Sequence, residues 1–347
     1  MAGDRQSICD SVGLTVETLV ISQSEVRTLL PMRDCIRVVR DALAGLARGE
    51  GIQPLRPVMW LPERVGALGM MPGYLGTIDT LGVKTITVFP GNAGTEFDSH
   101  QGTVMLFDAA DGHLRAVIDA TEITAIRTAA ASAVATDLLA RPDASVLAII
   151  GSGVQAASHI EAMPLVRPIE EIRLWSRSAE NARRLVNSAA AGGPRISAFS
   201  SVAEAVAGAD IVCTATAAAD PVLSGAWLEP GMHINAVGSS VPVARELDGA
   251  AMARSRLFVD RRESTVNEAG DYLMALEEGA IQEGHIVAEI GEVLIGAAEG
   301  RRRDDDITLF ESLGLAIEDI AAGDLVYRNA VTSGAGTRLE LGGLRHG

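Results

Sequence analysis

Between residues 24 and 47 apolar side chains recur at helical spacing, at Val26, Leu29, Leu30, Ile36, Val39, Leu43 and Leu46, with Pro31 breaking the run. Proline lacks the amide proton that a helix interior needs, so the pattern predicts a short helix and then a longer one. From residue 51 to 120 the period changes. Short β-rich runs at 57–61, 68–74, 82–89, 103–108 and 113–118 are separated by Gly, Asp and Pro, and Asp111-Gly112 lies between the last two as a hairpin turn would. These runs predict an antiparallel sheet. Residues 121–140 are Ala-rich and helical, and Arg141-Pro142-Asp143 closes them.

Beyond residue 145 apolar strands alternate with helices. Strands are expected at 145–150, 171–176, 196–199, 210–215, 233–238 and 256–260. Helices are expected at 154–165, 179–190 and 202–206, with a turn at Gly192-Gly193-Pro194. Such alternation implies a parallel sheet covered on both faces. The run Arg301-Arg302-Arg303-Asp304-Asp305-Asp306 is expected to be a solvated loop. Residues 307–310 and a helix from Leu313 to about Tyr327 are expected to rejoin the first unit, and the Gly-rich tail after Thr332 to be mobile. The fold class is therefore α/β: a Rossmann-type doubly wound parallel sheet plus an α+β substrate and dimerisation unit. Residues 1–126, completed by 307–347, form that unit, and 127–306 the dinucleotide-binding one.

Composition narrows the function classes. The chain has 347 residues, 48% apolar and 21% charged, a balance suited to two globular units. A formal net charge of -16 repels nucleic-acid phosphates and anionic lipid, so neither is an expected partner. An acidic protein that takes an anionic substrate must concentrate its cations inside the pocket. Cys9, Cys35 and Cys213 show no disulfide or zinc spacing, and the N-terminus shows no basic-then-apolar run. A cytoplasmic setting is the expectation. The six histidines include no pair with metal spacing, so no metal is expected; His100 is a candidate near the pocket and His159 a structural one.

The main chemical signal is Gly151-Ser152-Gly153-Val154-Gln155-Ala156, preceded by an apolar strand and followed by a helix. In a dinucleotide site Gly151 makes the tight turn, Gly153 lets backbone approach the pyrophosphate, and Ala156 lets helix and strand pack closely. The helix N-terminus supplies free N–H groups and partial positive charge. The next strand ends in Ser176 and Arg177 rather than in the Asp or Glu that holds a ribose 2′-hydroxyl. A guanidinium can grip a 2′-phosphate, so NADP(H) is favoured and NAD(H) possible. Thr128, Thr214 and Val237 complete the expected cofactor contacts.

Several blocks in order resemble the ornithine cyclodeaminase/mu-crystallin family. They are the run from Gly82 to Asn92, Thr124-Ala125-Ile126-Arg127-Thr128-Ala129-Ala130-Ala131-Ser132, Asn235-Ala236-Val237-Gly238, Arg245-Glu246-Leu247-Asp248 and Leu309-Phe310-Glu311-Ser312-Leu313-Gly314. The resemblance implies an α-amino or α-imino carboxylate as substrate and a homodimer paired through the first unit. It places Arg56, Lys84 and Arg127 at the substrate carboxylate, where an Arg fork and a compact ammonium both suit an anion. Family cyclodeaminases carry an Asp in the loop after the Asn-Ala-Val-Gly strand. The matching residue here is Ser240, as in the ketimine-reductase-like members, and a serine hydroxyl is a poor base near neutral pH. The resemblance also places Glu268 near the substrate nitrogen.

The expected function is thus NAD(P)H-dependent reduction of a C=N bond next to a carboxylate, with Lys84, Ser240 and Glu268 as catalytic residues. Its rivals are an NAD-dependent cyclodeaminase, an alanine-like amino-acid dehydrogenase and a non-enzymatic nucleotide- or ligand-binding protein.

Overall fold

The computed structural model describes residues 16–92, 95–188 and 193–343. Cys9, most of the N-terminal lead, the last four residues and part of the turn expected at Gly192 lie outside them. The two helices flanking Pro31 are Gln23–Leu29 and Met32–Ala47. The β-rich stretch forms the antiparallel ribbon Ala67–Leu75, Thr80–Val88, His100–Asp108 and Leu114–Asp119. Gly112 turns the last hairpin with φ +79°, a conformation that only glycine adopts at no steric cost. The strand Glu17–Ile21 adds to this sheet parallel to Leu114–Asp119. The tail expected to be mobile contributes Thr337–Glu340, antiparallel to Glu17–Ile21, so the two ends of the described chain close one edge. Open N–H and C=O groups on Glu17–Ile21 supply the reason: the tail strand satisfies them.

The second sheet is wholly parallel, in the order Arg195–Ala198, Glu171–Trp175, Val146–Ile150, Ile211–Thr214, His233–Ala236, Thr308–Glu311, Arg256–Val259, Ile286–Glu289. Its order reverses beside Val146–Ile150, the place where open α/β sheets leave a crevice at their carboxyl ends. One expectation is corrected here. Residues 307–310 do not rejoin the first unit. Thr308–Glu311 pairs on both sides within the parallel sheet, with His233–Ala236 and Arg256–Val259. Its burial on both faces removes the alternation of apolar and polar residues that would have assigned these four residues to a sheet. The chain returns only afterwards, through the helix Ala316–Ser333, which packs on Ala67–Leu75 and Thr80–Val88.

The helix Ala120–Leu139 joins the halves. Asp119 caps its start by accepting from the Glu122 amide at 3.0 Å. It is Ala-rich with no separate polar face and is buried on nearly all sides, as a helix enclosed by other elements must be. It packs against Met32–Ala47 and Ala316–Ser333 on one side, and against the helix Val154–Ala162 and the strand His233–Ala236 on the other. Alanine keeps those approaches short, and hydrogen bonds cross the seam from His159 to Ser132 at 2.9 Å and from Asn235 to Thr136 at 2.9 Å. One core therefore runs from Leu19 and Leu43 through Ala129–Ala135 to Leu147 and Ile172. A second core fills the opposite face of the parallel sheet.

The charge run at 301–306 is also not simply solvated. Arg301 points inward, donating from Nε to the Leu139 carbonyl at 2.6 Å and from Nη2 to Gly231 O, Met232 O and Thr308 Oγ1, each at 3.1 Å. It ties off the C-terminus of the long helix, where a cation also meets the negative end of the helix dipole. Replacing Arg301 with Ala removes the charged donor from all three carbonyls, of which Leu139 O keeps the Thr308 hydroxyl and Met232 O the Thr308 amide, and should lower unfolding free energy by about 2–3 kcal/mol. The exposed neighbour Arg302→Ala should change it by less than about 0.5 kcal/mol in the same denaturant titration.

Candidate active site

The glycine turn lies at the carboxyl end of Val146–Ile150, as its sequence requires. Gly151 has φ +134°, and a Cβ there would collide with the Ala215 carbonyl oxygen of the neighbouring strand's exit. Gly153 precedes the helix Val154–Ala162 in extended conformation without a capping side chain, so the first helical N–H groups are left free. Ser152 and Ser176 hydroxyls meet at 2.7 Å across the two βα turns. Gln155 donates to the Thr124 carbonyl at 3.3 Å, and its buried Oε1 has no partner. Ala156 is fully buried against the sheet, and Thr128 is buried on the long helix. Val154 is exposed at the helix start. These features fit a dinucleotide: a bare helix N-terminus, a backbone without Cβ, and an orphaned polar atom. Arg177 is exposed at the next turn and has no ion-pair partner among the described residues.

The exits of the central strands are held by an acid that the sequence reading passed over. Glu246 is fully buried and accepts from the Thr216 amide at 2.6 Å with one oxygen and the Gly238 amide at 2.7 Å with the other. It thereby clamps the loops after Ile211–Thr214 and His233–Ala236, where Thr214 and Val237 lie; the Val237 amide donates to Thr214 O at 3.0 Å. Asp271 in turn accepts the Glu246 and Leu247 amides at 2.9 and 2.8 Å. Burial raises both carboxyls above their usual range, despite the amides that favour the ionised forms. The Arg245-Glu246-Leu247-Asp248 block was visible in the sequence, but its purpose depends on which loops it meets.

Three cations from distant stretches of chain converge beyond these exits. Lys84, only 2% exposed, lies 2.8 Å from Asp319 and 3.5 Å from the Thr124 hydroxyl. Arg127 donates from Nε to Asp319 and from Nη1 to Glu318, both at 2.9 Å. Gly314, at φ +82°, lies flat against the Arg127 guanidinium where a Cβ would collide with it. Arg56 donates to the carbonyls of Leu313 and Ser240, each at 3.2 Å, and pairs with Glu268 at 2.8 Å. Asp260 fixes the floor by accepting the Leu313 and Gly314 amides, both at 2.7 Å. Burial lowers the Lys84 ammonium to about 8, with Asp319 opposing the fall and the Arg127 and Arg56 charges adding to it. Burial raises the Glu318 carboxyl, against the pull of Arg127.

Arg56, Lys84, Arg127, Ser240 and Glu268 are thus brought together, but with a correction to their expected state. Each cation is matched by a carboxylate of the chain itself. Glu268 is not a plain surface residue, since it is as shielded as Arg56, its partner. Glu318 and Asp319 were missed because nothing in the run Ala316-Ile317-Glu318-Asp319 separates a buried acidic pair from the first turn of any helix. The physical signal was available in principle: two cations committed to an apolar interior need two anions.

Of the other candidates, His159 is fully buried between Ser132 and the Gln155 carbonyl and is held neutral, lowered to about 4 by burial. His100 stands opposite Val88 at the start of its strand, and desolvation and then the Lys84 charge lower its imidazole. The absence of metal spacing was read from sequence alone. The hairpin nonetheless gathers Asp108, Asp111 and His113, where Asp111 takes the His113 ring and Asp108 the Ala110 amide. Among the described residues no helix is long and apolar enough to cross a membrane.

Residues 16–334 match the ornithine cyclodeaminase/mu-crystallin family. The ketimine reductase mu-crystallin of Mus musculus is 45% identical over 289 residues, spanning 82% of this chain and 88% of that protein. The structure of Thermococcus litoralis Δ1-pyrroline-2-carboxylate reductase in complex with NADH and L-proline superposes with a TM-score of 0.91 at 38% identity, covering 93% of this chain and 100% of that one. An archaeal alanine dehydrogenase dimer with bound NAD superposes with a TM-score of 0.89 at 32% identity, covering 94% and 100%.

Proposed function

The chain belongs to the ornithine cyclodeaminase/mu-crystallin family, and on that premise we propose that it is an NAD(P)H-dependent reductase of an imine α to a carboxylate, converting an imino acid to an amino acid. The observation that carries this reading is the convergence of Lys84, Arg127 and Arg56 beside the loop of Ser240 and the carboxylate of Glu268. A substrate carboxylate is held by Lys84 Nζ and by the Arg127 nitrogen Nη2, which has no protein partner among the described residues. As that anion enters, Arg56 exchanges part of its contact with Glu268 for it. Glu268 then faces the substrate nitrogen, where its negative charge favours the protonated iminium, the more electrophilic form. Ser240 offers a neutral hydrogen bond on the same side. Gly151, Ser152, Gly153, Val154, Gln155, Ser176, Arg177, Thr128, Thr214 and Val237 would hold the dinucleotide, which when bound supplies hydride to the imine carbon. The protein's own contribution is to fix the carbon's distance and face and to exclude water.

Ser240 separates this reading from a cyclodeaminase, whose chemistry needs a carboxylate in that loop to hold a distal amine. Arg177, exposed and without an ion-pair partner among the described residues, supports a preference for NADPH. Pairing of two copies through the first sheet is supported by its outer face, where Met59, Met70 and Leu81 are all exposed. The archaeal relative is itself a dimer.

Pyrroline- or piperideine-2-carboxylate should drive NADPH oxidation, followed by absorbance, while ornithine should release no ammonia with NAD; ammonia from ornithine would restore the cyclodeaminase. In that assay Lys84→Ala should cost about 2–4 kcal/mol of transition-state stabilisation, on the order of a hundredfold in kcat/KM. Ser240→Ala should cost only about 0.5–1.5 kcal/mol. Arg177→Asp should weaken NADPH binding by about 1.5–3 kcal/mol and spare NADH, and equal affinity of the unmodified protein for both would overturn the preference. Light scattering should give twice the chain mass at micromolar concentration, and Leu81→Glu with Met70→Glu should halve it.

A further inference from the structure

The two acids that open the helix Ala316–Ser333 do more than neutralise buried charge. Asp319 uses its two oxygens separately, Oδ1 on Arg127 Nε at 2.9 Å and Oδ2 on Lys84 Nζ at 2.8 Å. It is itself fully buried. Glu318 takes Arg127 Nη1 at 2.9 Å. With Nε and Nη1 so engaged, the planar guanidinium cannot rotate, and its remaining nitrogen and the lysine ammonium are presented at a set separation. We propose that Asp319 is a positioning residue for the imine-reducing reaction, acting through Lys84 and Arg127 to present them as one fixed carboxylate-binding pair; this rests on the function proposed above.

A second consequence follows from the same contact. Lys84 is enclosed, and an ammonium without a counter-charge in such a place tends to shed its proton. The groups that face it are Asp319 from the return helix, Thr124 and Arg127 from the long helix, Arg56 from the connection before Val58–Trp60, and His100 from the adjacent strand, with Glu318 behind Arg127. Of these only Asp319 and Glu318 are acids, burial raises the Glu318 carboxyl, and only Asp319 touches the ammonium. Burial already holds Lys84 down to about 8, and Arg127 and Arg56 push the same way. Only the charged form binds an anion. Carboxylate affinity is therefore full below that value and falls as pH rises through it. Removing the Asp319 charge moves the fall to lower pH.

The test measures binding as well as turnover. Pyrrole-2-carboxylate, an unreactive planar carboxylate, is titrated by calorimetry into the enzyme saturated with NADP+ or NAD+ across a pH series, and kcat/KM for the cyclic imine is followed in parallel. For the unmodified enzyme both should decline above about pH 8. Asp319→Asn should move the decline down by roughly 1–3 pH units and weaken binding at neutral pH tenfold or more, at unchanged dinucleotide affinity. Lys84→Arg should abolish the decline near that pH, because a guanidinium does not titrate there, whereas a decline set by Glu318 would persist in that variant. Asp319→Glu keeps the charge but displaces it by a methylene, so the decline should stay put while Kd and KM rise at least several-fold. That variant carries the test if Asp319→Asn does not fold. A decline unmoved in Asp319→Asn, or Asp319→Glu indistinguishable from the unmodified enzyme, overturns the proposal while leaving imine reduction intact. No imine-dependent oxidation of either dinucleotide by the unmodified enzyme overturns both.

Discussion

A cation cannot remain charged in an apolar interior without an anion beside it, and much of this structure answers that constraint. Lys84 sits in the middle of a strand and Arg127 within an enclosed helix, so neither can turn to solvent. Their anions come from neither neighbourhood. They come from Glu318 and Asp319, which the chain reaches only after completing the parallel sheet with Thr308–Glu311. The return of the chain to the first sheet is thus tied to the site electrostatically as well as through the core that Ile317, Ile320 and Val326 share with Val104 and Leu106.

The turn between that last strand and the return helix joins fold and chemistry. Asp260 pins Leu313 and Gly314 by their amides, Leu313 gives its carbonyl to Arg56, and Gly314 lies under Arg127. A side chain at 314 would push the guanidinium off its two acids. On the cofactor side Glu246 performs a similar service, holding two strand exits by their amides. Buried acids, raised by desolvation and satisfied by backbone donors, thus set the walls on both sides of the place where substrate and dinucleotide would meet. An acidic chain of net charge -16 puts much of its negative charge on the surface, yet these few carboxylates do their work inside.

Much of this protein was legible in the chain itself, because the determining forces are local. Strand period, helix period, the proline at 31 and the glycines at 112 and 151 act over a few residues, so the antiparallel ribbon, the alternating βα segments and the dinucleotide turn could be derived from spacing and sterics. Lys84 and Arg127 stood out too, since charge within an apolar strand or an Ala-rich helix is conspicuous, whereas Arg56 was assigned through the family resemblance alone. What tertiary structure alone decided were the pairings across long separations. Thr308–Glu311 entered the parallel sheet rather than the first unit, Thr337–Glu340 paired with Glu17–Ile21, Arg301 turned inward to cap a helix, and Glu318 and Asp319 took up Lys84 and Arg127. In each case a four-residue strand or a charged side chain looks alike in sequence whether it meets solvent or a distant partner. The choice is made by which unsatisfied backbone edge or buried charge the completed fold brings within hydrogen-bonding reach.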